Sequence, residues 1–210
     1  MARRLTEEEV PGVCFIVCGP SGAGKATLLR RLLDEVPGLA LVHSLTTRSP
    51  RPDDLLLGKY KYVDEATFEA VVARDEFLEW AEVHGRYYGT PISEVLLAAR
   101  GGKDIVLEVD YQGASQARPL LPDLVSIFIE APDMTVLAER LHRRDAEAPP
   151  EEIEIRLRTA EEEIRHRSEF DYVIVNDVLE AAFEALRAIV VTERARPERV
   201  LRRGKVTSGA

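Results

Sequence analysis

The chain has 210 residues, 45% hydrophobic and 31% charged, with 28 Lys plus Arg against 37 Asp plus Glu and a formal net charge of -9. That length holds one compact domain with a smaller insertion, and the apolar fraction excludes a disordered polymer. The acidic surplus argues against a broad nucleic-acid surface, but a few clustered arginines can still bind a small phosphorylated molecule inside an acidic protein.

The opening "MARRLTEEEVPG" carries arginines with no apolar stretch behind them, so no export signal is expected. Nowhere does an apolar run approach the ~20 residues of a membrane span, and a cytoplasmic location is expected. Residues 1–11 and 195–210 read as loose tails. "GVCFIV" (12–17) is a buried-strand candidate, followed by the glycine-rich "CGPSGAGK". Leu28, Leu29, Leu32, Leu33 and Val36 then form one helical stripe, stopped by Pro37-Gly38. Residues 44–97 break that rhythm with the short alternating pieces "KYKYV", "FLEWAEVHG" and "RYYG" around one helix opening near Asp64. They predict a small, mostly antiparallel β-insertion.

Further buried strands are predicted at "DIVLEV" (104–109), "LVSIFI" (124–129) and "YVIVN" (172–176). Helical patterns follow the last two, so the expected class is α/β with a parallel sheet flanked by helices. Residues 141–168 are charge-rich, and Ile153, Leu157, Ala160 and Ile164 mark a helix after Pro149-Pro150, joined to the core by a polar hinge. A last helix places Leu179, Ala182, Phe183, Leu186, Ile189 and Val190 on one face. Cys14 and Cys18 would lie ~13 Å apart on an extended strand, too far for a disulfide, and read as core thiols. His43, His84, His142 and His166 are scattered without metal-ligand spacing.

Gly19 to Lys25 matches G-x-x-x-x-G-K between a strand and a helix, the setting in which such a loop cradles phosphates. Backbone N–H groups of Gly19, Pro20's neighbour Ser21, Gly22, Ala23 and Gly24 would wrap the anion. The helix N-terminus adds partial positive charge, and Lys25 adds a point charge. The hydroxyl that normally follows the lysine, a ligand for Mg²⁺, is replaced by Ala26, and Thr27 points elsewhere. "SLTTRSPRP" sets Arg48 and Arg51 three apart in a stiff loop, suited to gripping one phosphate, and Tyr60 and Tyr88 offer phenolic hydroxyls.

With "GPSGAGK", "SLTTRSPRP", "YKYV", "FLEWAEVHGRYYGTP", "LEVDYQGA" and "YVIVND" in this order and spacing, the chain resembles guanylate kinases from about residue 13 to about 194. The resemblance implies a P-loop nucleoside-monophosphate kinase fold with a core at 12–43 and 98–194, a lid at 141–168 and a GMP-binding insertion at 44–97. It implies transfer of the γ-phosphoryl group of ATP to GMP or dGMP, with Mg²⁺. ATP would meet Gly19 to Thr27, Arg140 and Asn176. Arg48, Arg51, Tyr60 and Tyr88 would hold the GMP phosphate, and Ser44, Glu79, Thr90 and Asp110 would surround the guanine. Lys25, Arg48, Arg144 and Arg156 would be catalytic. No direct metal ligand is assigned, while Glu108 and Asp110 could orient metal-bound water.

The chemistry of these residue types agrees with that assignment. A carboxylate accepts from both N1–H and the exocyclic amine of guanine, an edge adenine lacks, and hydroxyls can donate to O6. Departures from the family pattern are Ala26, Asp53-Asp54 before the run Leu55–Leu57, Asp145 after Arg144, and Arg156 one position further on. Two other readings stay open. One is a P-loop kinase acting on another small phosphorylated acceptor such as a sugar phosphate. The other is a non-catalytic phosphopeptide-binding module, which usually lacks the full glycine loop and lysine kept here.

Overall fold

The computed structural model describes residues 3–50, 54–83, 85–144 and 149–208. Strand β1 (Cys14–Cys18) is buried throughout and leads through the glycine loop into helix α1 (Lys25–Glu35). Strands β2 (Leu39–Leu41) and β3 (Ser44–Thr46), the one-turn helix α2 (Asp54–Leu57) and strand β4 (Tyr60–Tyr62) follow. Helix α3 (Glu65–Ala73), strands β5 (Phe77–Val83) and β6 (Arg86–Pro91) and helix α4 (Ile92–Ala98) come next. Then come strand β7 (Asp104–Glu108), helix α5 (Tyr111–Ala117), strand β8 (Leu124–Glu130) and helices α6 (Met134–Arg144) and α7 (Pro150–Arg165). Strand β9 (Tyr172–Val175) and helices α8 (Leu179–Arg194) and α9 (Pro197–Ser208) end the chain.

The first sheet has order β2-β7-β1-β8-β9, and its strand pairs are parallel. Parallel neighbours need crossovers, and these helices cover both faces, which is why the strands read as unbroken apolar runs. The period-2 alternation then sorts β1 between two cores. Phe15 and Val17 join Leu28, Leu32, Phe183 and Leu186 on one face. Cys14 and Ile16 join Leu78, Val95, Ala114 and Leu121 on the other. Both cysteines are free and buried, as expected of core thiols, and burial pushes their ionisation upward. A third, smaller core joins α6 to α7 through Leu137, Leu141, Ile153 and Ala160.

The second sheet has order β4-β3-β6-β5. β6 pairs antiparallel with β3 and β5, whereas β3 and β4 run parallel, so the sheet is mixed although mostly antiparallel. Asp64 caps α3 by accepting from the Thr67 N–H at 2.7 Å. Beneath the sheet Phe68 stacks on Phe77 at 4.5 Å and on Tyr87 at 5.4 Å between ring centroids. The single helix expected within 44–97 is joined by α2 and α4, since Leu57 and Val95 each find a core to enter. Leu56, next to Leu57 in the leucine run, is 43% exposed.

The loose tails expected at the two ends are corrected by the structure. Leu5 and Val10 are buried in the second core, and the Leu5 N–H donates to the Leu120 carbonyl at 2.8 Å. At the other end α9 is held by charge. Arg199 is buried, donating to Asp123 from Nε at 2.9 Å and from Nη2 at 2.8 Å, and it also pairs with the buried Glu193. Arg202 adds a 3.0 Å pair with Asp123. Polar composition looked like a tail because ion pairs leave no apolar stripe to read.

Removing a partner from a buried ion pair leaves an uncompensated charge and costs about 3–5 kcal/mol. Arg199→Ala should therefore lower the unfolding free energy by about 3 kcal/mol in urea denaturation, whereas a solvated tail residue would move it by about 0.5 kcal/mol or less.

Candidate functional site

The loop after β1 is shaped by glycines in conformations that side chains resist. Gly19, Gly22 and Gly24 have φ of 138°, 88° and 88°. A Cβ on Gly19 would collide with the Ile129 carbonyl oxygen, and one on Gly24 with the Asn176 amide. Asn176, buried just beyond β9, donates from Nδ2 to the Ala23 carbonyl at 2.7 Å, and its own N–H donates to the Glu130 carbonyl at 2.7 Å. Arg140 on α6 donates to the Asn176 carbonyl at 2.9 Å. The loop is thus fixed from behind by β9 and α6. No side chain caps the start of α1, so its first N–H groups face the loop as an anion site. Ala26 and Thr27 line the opening beside them, Thr27 exposed.

Lys25 folds back over this loop. Its Nζ donates to the carbonyls of Gly19 at 2.5 Å and Pro20 at 3.0 Å and stands 3.9 Å from Glu108 Oε1. Glu108 ends β7 and is also held by Lys59, whose Nζ lies 2.8 Å from the same oxygen. Burial would raise the Glu108 pKa, but the two ammonium groups outweigh it and hold the carboxyl below its ordinary range. Its other oxygen, Oε2, is buried without a hydrogen-bond partner.

Across a cleft of about 1110 Å³ the second sheet presents its own set. Arg48 is buried, and its guanidinium donates to both oxygens of Asp54 at 2.8 Å. The Tyr62 hydroxyl donates to Asp54 at 2.6 Å. Arg48 lies 5.1 Å from the Tyr60 ring centroid, and the rings of Tyr60 and Tyr88 meet edge to face at 5.8 Å. Arg48, Tyr60 and Tyr88 therefore converge, while Arg51 lies outside the described residues, as do His84 and Asp145.

Deeper on the same side is a small polar chamber. Glu79 on β5 is opposite Thr90 on β6, and Ser44 Oγ is 2.9 Å from Thr90 Oγ1. Glu79 is buried. Desolvation pushes its pKa up to about 7, with the negative charge of Asp110 adding to the rise and hydrogen bonding from Thr90 opposing it. Helix α5 makes the floor. Asp110 caps it, accepting from the Gly113 N–H at 2.7 Å, and an added Cβ on Gly113 would stand 2.7 Å from Glu79 Oε2. Gln116 on α5 pins the free edge of β5 by accepting from the Trp80 N–H at 3.2 Å and donating to the Trp80 carbonyl at 3.0 Å. Asp110 thus serves as a helix cap while lining the cleft, and burial raises its pKa against the N–H bonds it receives.

The third wall is α6 with α7. Arg140, Arg144 and Arg156 all line the cleft. Arg156 is buried and paired with Glu152 one turn earlier, and Arg144 is exposed near the end of α6. Glu163 reaches in from α7, where burial pushes its pKa up to about 7, Lys25 opposing and Asp110 adding to the rise. Of the site residues expected from sequence that the structure describes, all but Pro20, Ala23 and Thr90 line this one cleft, and Thr90 reaches it through Ser44. Sequence reasoning missed Lys59, Asp54, Gly113 and Glu163. Gly113 alone carried a signal, in "YQGA" after an acidic strand end.

Comparison with known proteins agrees with this geometry. The guanylate kinase family model matches residues 12–193. The chain is 48% identical over 190 residues to guanylate kinase of Methylobacillus flagellatus, covering 90% of this chain and 94% of that protein. It is 46% identical over 179 residues to guanylate kinase of Dechloromonas aromatica, covering 85% and 88%. The crystal structure of guanylate kinase from Anaplasma phagocytophilum superimposes with a TM-score of 0.69 at 27% identity, covering 95% of this chain and 92% of that one. A glycine loop closed by a lysine, facing a buried carboxylate across one cleft, is thus joined to matches along nearly the whole chain, and the chain belongs to the guanylate kinase family.

Proposed function

We propose that this protein transfers the γ-phosphoryl group of ATP to GMP, and to a lesser extent dGMP, giving ADP and GDP. One observation carries the choice of acceptor. A buried carboxylate, Glu79, stands beside the Ser44 and Thr90 hydroxyls in the cleft that the Lys25 loop also faces. Ionised Glu79 accepts two N–H groups from guanine and the hydroxyls serve O6, whereas adenine would leave them unpaired. A site built on such bonds discriminates by roughly 10⁴. A sugar phosphate would have no use for this chamber.

In this reading the ATP phosphates lie on the N–H groups of the glycine loop and the start of α1, with Arg140 and Asn176 shaping its rim. Arg48, Arg51, Tyr60 and Tyr88 hold the GMP phosphate. One of its oxygens attacks the γ-phosphorus as the bond to the β–γ bridging oxygen breaks. Charge is conserved and no proton need move. The barrier is repulsion between anions, so Lys25, Arg48, Arg144 and Arg156 act by screening it. Residues 44–97 serve as the acceptor-binding insertion and 141–168 as a lid that excludes water.

When bound, Mg²⁺ would supply positive charge that offsets the charge of the phosphates. The residues present fit it. The orphaned Glu108 Oε2 can accept from a metal-bound water, Asp110 lies two residues on, and Mg²⁺ commonly keeps several waters. Among the described residues no group of three or more His, Cys, Asp or Glu side chains is placed to hold an ion, so the chain's own part would be to orient metal-bound water through Glu108 and Asp110. Free thiols at Cys14 and Cys18 suit the reducing cytoplasm, where this reading places the activity. Among the described residues no helix is long and apolar enough to cross a membrane.

ADP formation measured with GMP, AMP, CMP, UMP and a sugar phosphate tests the assignment, and equal turnover of AMP and GMP would end it. Glu79 also makes GMP binding depend on pH. Its carboxyl is protonated below about 7 and loses one acceptor, so affinity should rise as pH rises through that value. Calorimetry should show GMP binding about tenfold tighter at about pH 8 than at about pH 6, in excess of the change in Glu79→Gln, which retains only the phosphate's own titration. Ala26→Ser restores a metal-facing hydroxyl at the first turn of α1. Its turnover curve should reach its midpoint at lower free Mg²⁺ than the native curve, and superimposable curves would make Ala26 neutral.

A further inference from the structure

Lys59 stands at the seam between the two halves of the cleft. Its Nζ is 2.8 Å from Glu108 Oε1, the oxygen that Lys25 approaches to 3.9 Å. The same Nζ is 4.7 Å from the Tyr60 ring centroid, and Arg48 lies 5.1 Å from that ring. One carboxylate oxygen thus links Lys59 to the lysine of the glycine loop, and one tyrosine links it to the arginine of the opposite sheet. Lys59 lines the cleft, and its side chain retains 17% exposure.

We propose that Lys59 is a further catalytic cation, contacting the phosphoryl group as it passes between the nucleotides. The inference rests on the reading of the cleft as a site of phosphoryl transfer from ATP to GMP. The migrating group must cross from the Lys25 side to the Arg48 side, and Lys59 is placed between them. While the acceptor oxygen forms its bond to phosphorus and the bridging oxygen departs, charge spreads over three equatorial oxygens. An ammonium with three rotatable donors can follow that charge without the fixed fork of an arginine. Glu108 can release Lys59 toward the phosphoryl group because Lys25 approaches the same carboxylate. The plain alternative is that Lys59 does no more than neutralise a buried glutamate.

A double-mutant cycle separates the two. Lys59→Met should lower kcat by about 10²-fold, the usual cost of one preorganised transition-state donor, with KM for ATP and GMP changed by about threefold or less. Lys59→Arg should recover part of the loss. The decisive comparison is Glu108→Gln against Lys59→Met/Glu108→Gln, since neither leaves an unpaired carboxylate that could spoil folding. The double variant should be slower than Glu108→Gln by the same factor of about 10². Equal rates for these two variants, or a Lys59→Met effect confined to KM, would overturn the proposal. Native turnover of GMP in the same assay distinguishes the failures. Its absence removes the underlying reading, while its presence beside an unimpaired Lys59→Met removes this inference alone.

Discussion

Cations gathered into one cleft repel one another, and the rest of the site follows from how the protein answers that repulsion. Each cation in the cleft whose partner is seen leans on an oxygen of the protein itself. Lys25 rests on the Gly19 and Pro20 carbonyls, Lys59 on Glu108, Arg48 on Asp54, Arg156 on Glu152 and Arg140 on the Asn176 carbonyl. Without these partners the desolvation of so many like charges would cost more than the fold could offset. The partners differ in kind. Carbonyls carry only dipoles and yield readily to a phosphate, whereas Glu108 and Asp54 bring full charges that remain in the cleft when substrates arrive.

The scaffold delivers these groups through the ends of its strands. The C-terminal ends of β1, β7 and β9 carry the glycine loop, Glu108 with Asp110, and Asn176, which is where open parallel sheets expose backbone and helix starts to a ligand. The second sheet uses strand faces instead, so Ser44, Glu79 and Thr90 converge from β3, β5 and β6. The two systems meet at α5. Its cap is Asp110, its Gly113 lets Glu79 approach, and its Gln116 fastens β5. A short helix thereby fixes the distance between the glycine loop and the chamber around Glu79.

Much of this was legible in the sequence because it is written locally. The loop between β1 and α1, the runs that became β7, β8 and β9, and the stripe of α8 each depend on neighbouring letters. Strands β2 and β3 were not legible, because three residues of a parallel or mixed sheet carry no period. The packed ends were hidden for two different reasons. Leu5 and Val10 are isolated apolar letters in a charged segment, and α9 is held through Arg199 by acids 76 and 6 residues away. Lys59, Asp54 and Glu163 were hidden because their meaning is tertiary. A lysine before a tyrosine, an aspartate beside leucines and one glutamate among three have no local mark of burial. Asp110 was expected from sequence to face the cleft, which it lines, but its role as the cap of α5 needed the fold.

The Arg48–Asp54 pair shows how an occupied cation can still be ready. A carboxylate offers the guanidinium two oxygens in one plane, and a phosphate can offer the same fork with more charge. Exchange of one for the other conserves both hydrogen bonds, so its driving force is chiefly electrostatic. What must not change is the position of Arg48 during the exchange. Neither anion secures that, because one leaves as the other arrives, but the Ser49 carbonyl accepts from Arg48 Nη1 at 2.7 Å and stays. The Tyr60 ring, 5.1 Å from the guanidinium carbon and braced by Tyr88, is present throughout. On the proposed reading the Ser49 carbonyl and the Tyr60 ring together keep Arg48 in place while the ion pair is exchanged, so the acceptor phosphate finds a cation already positioned.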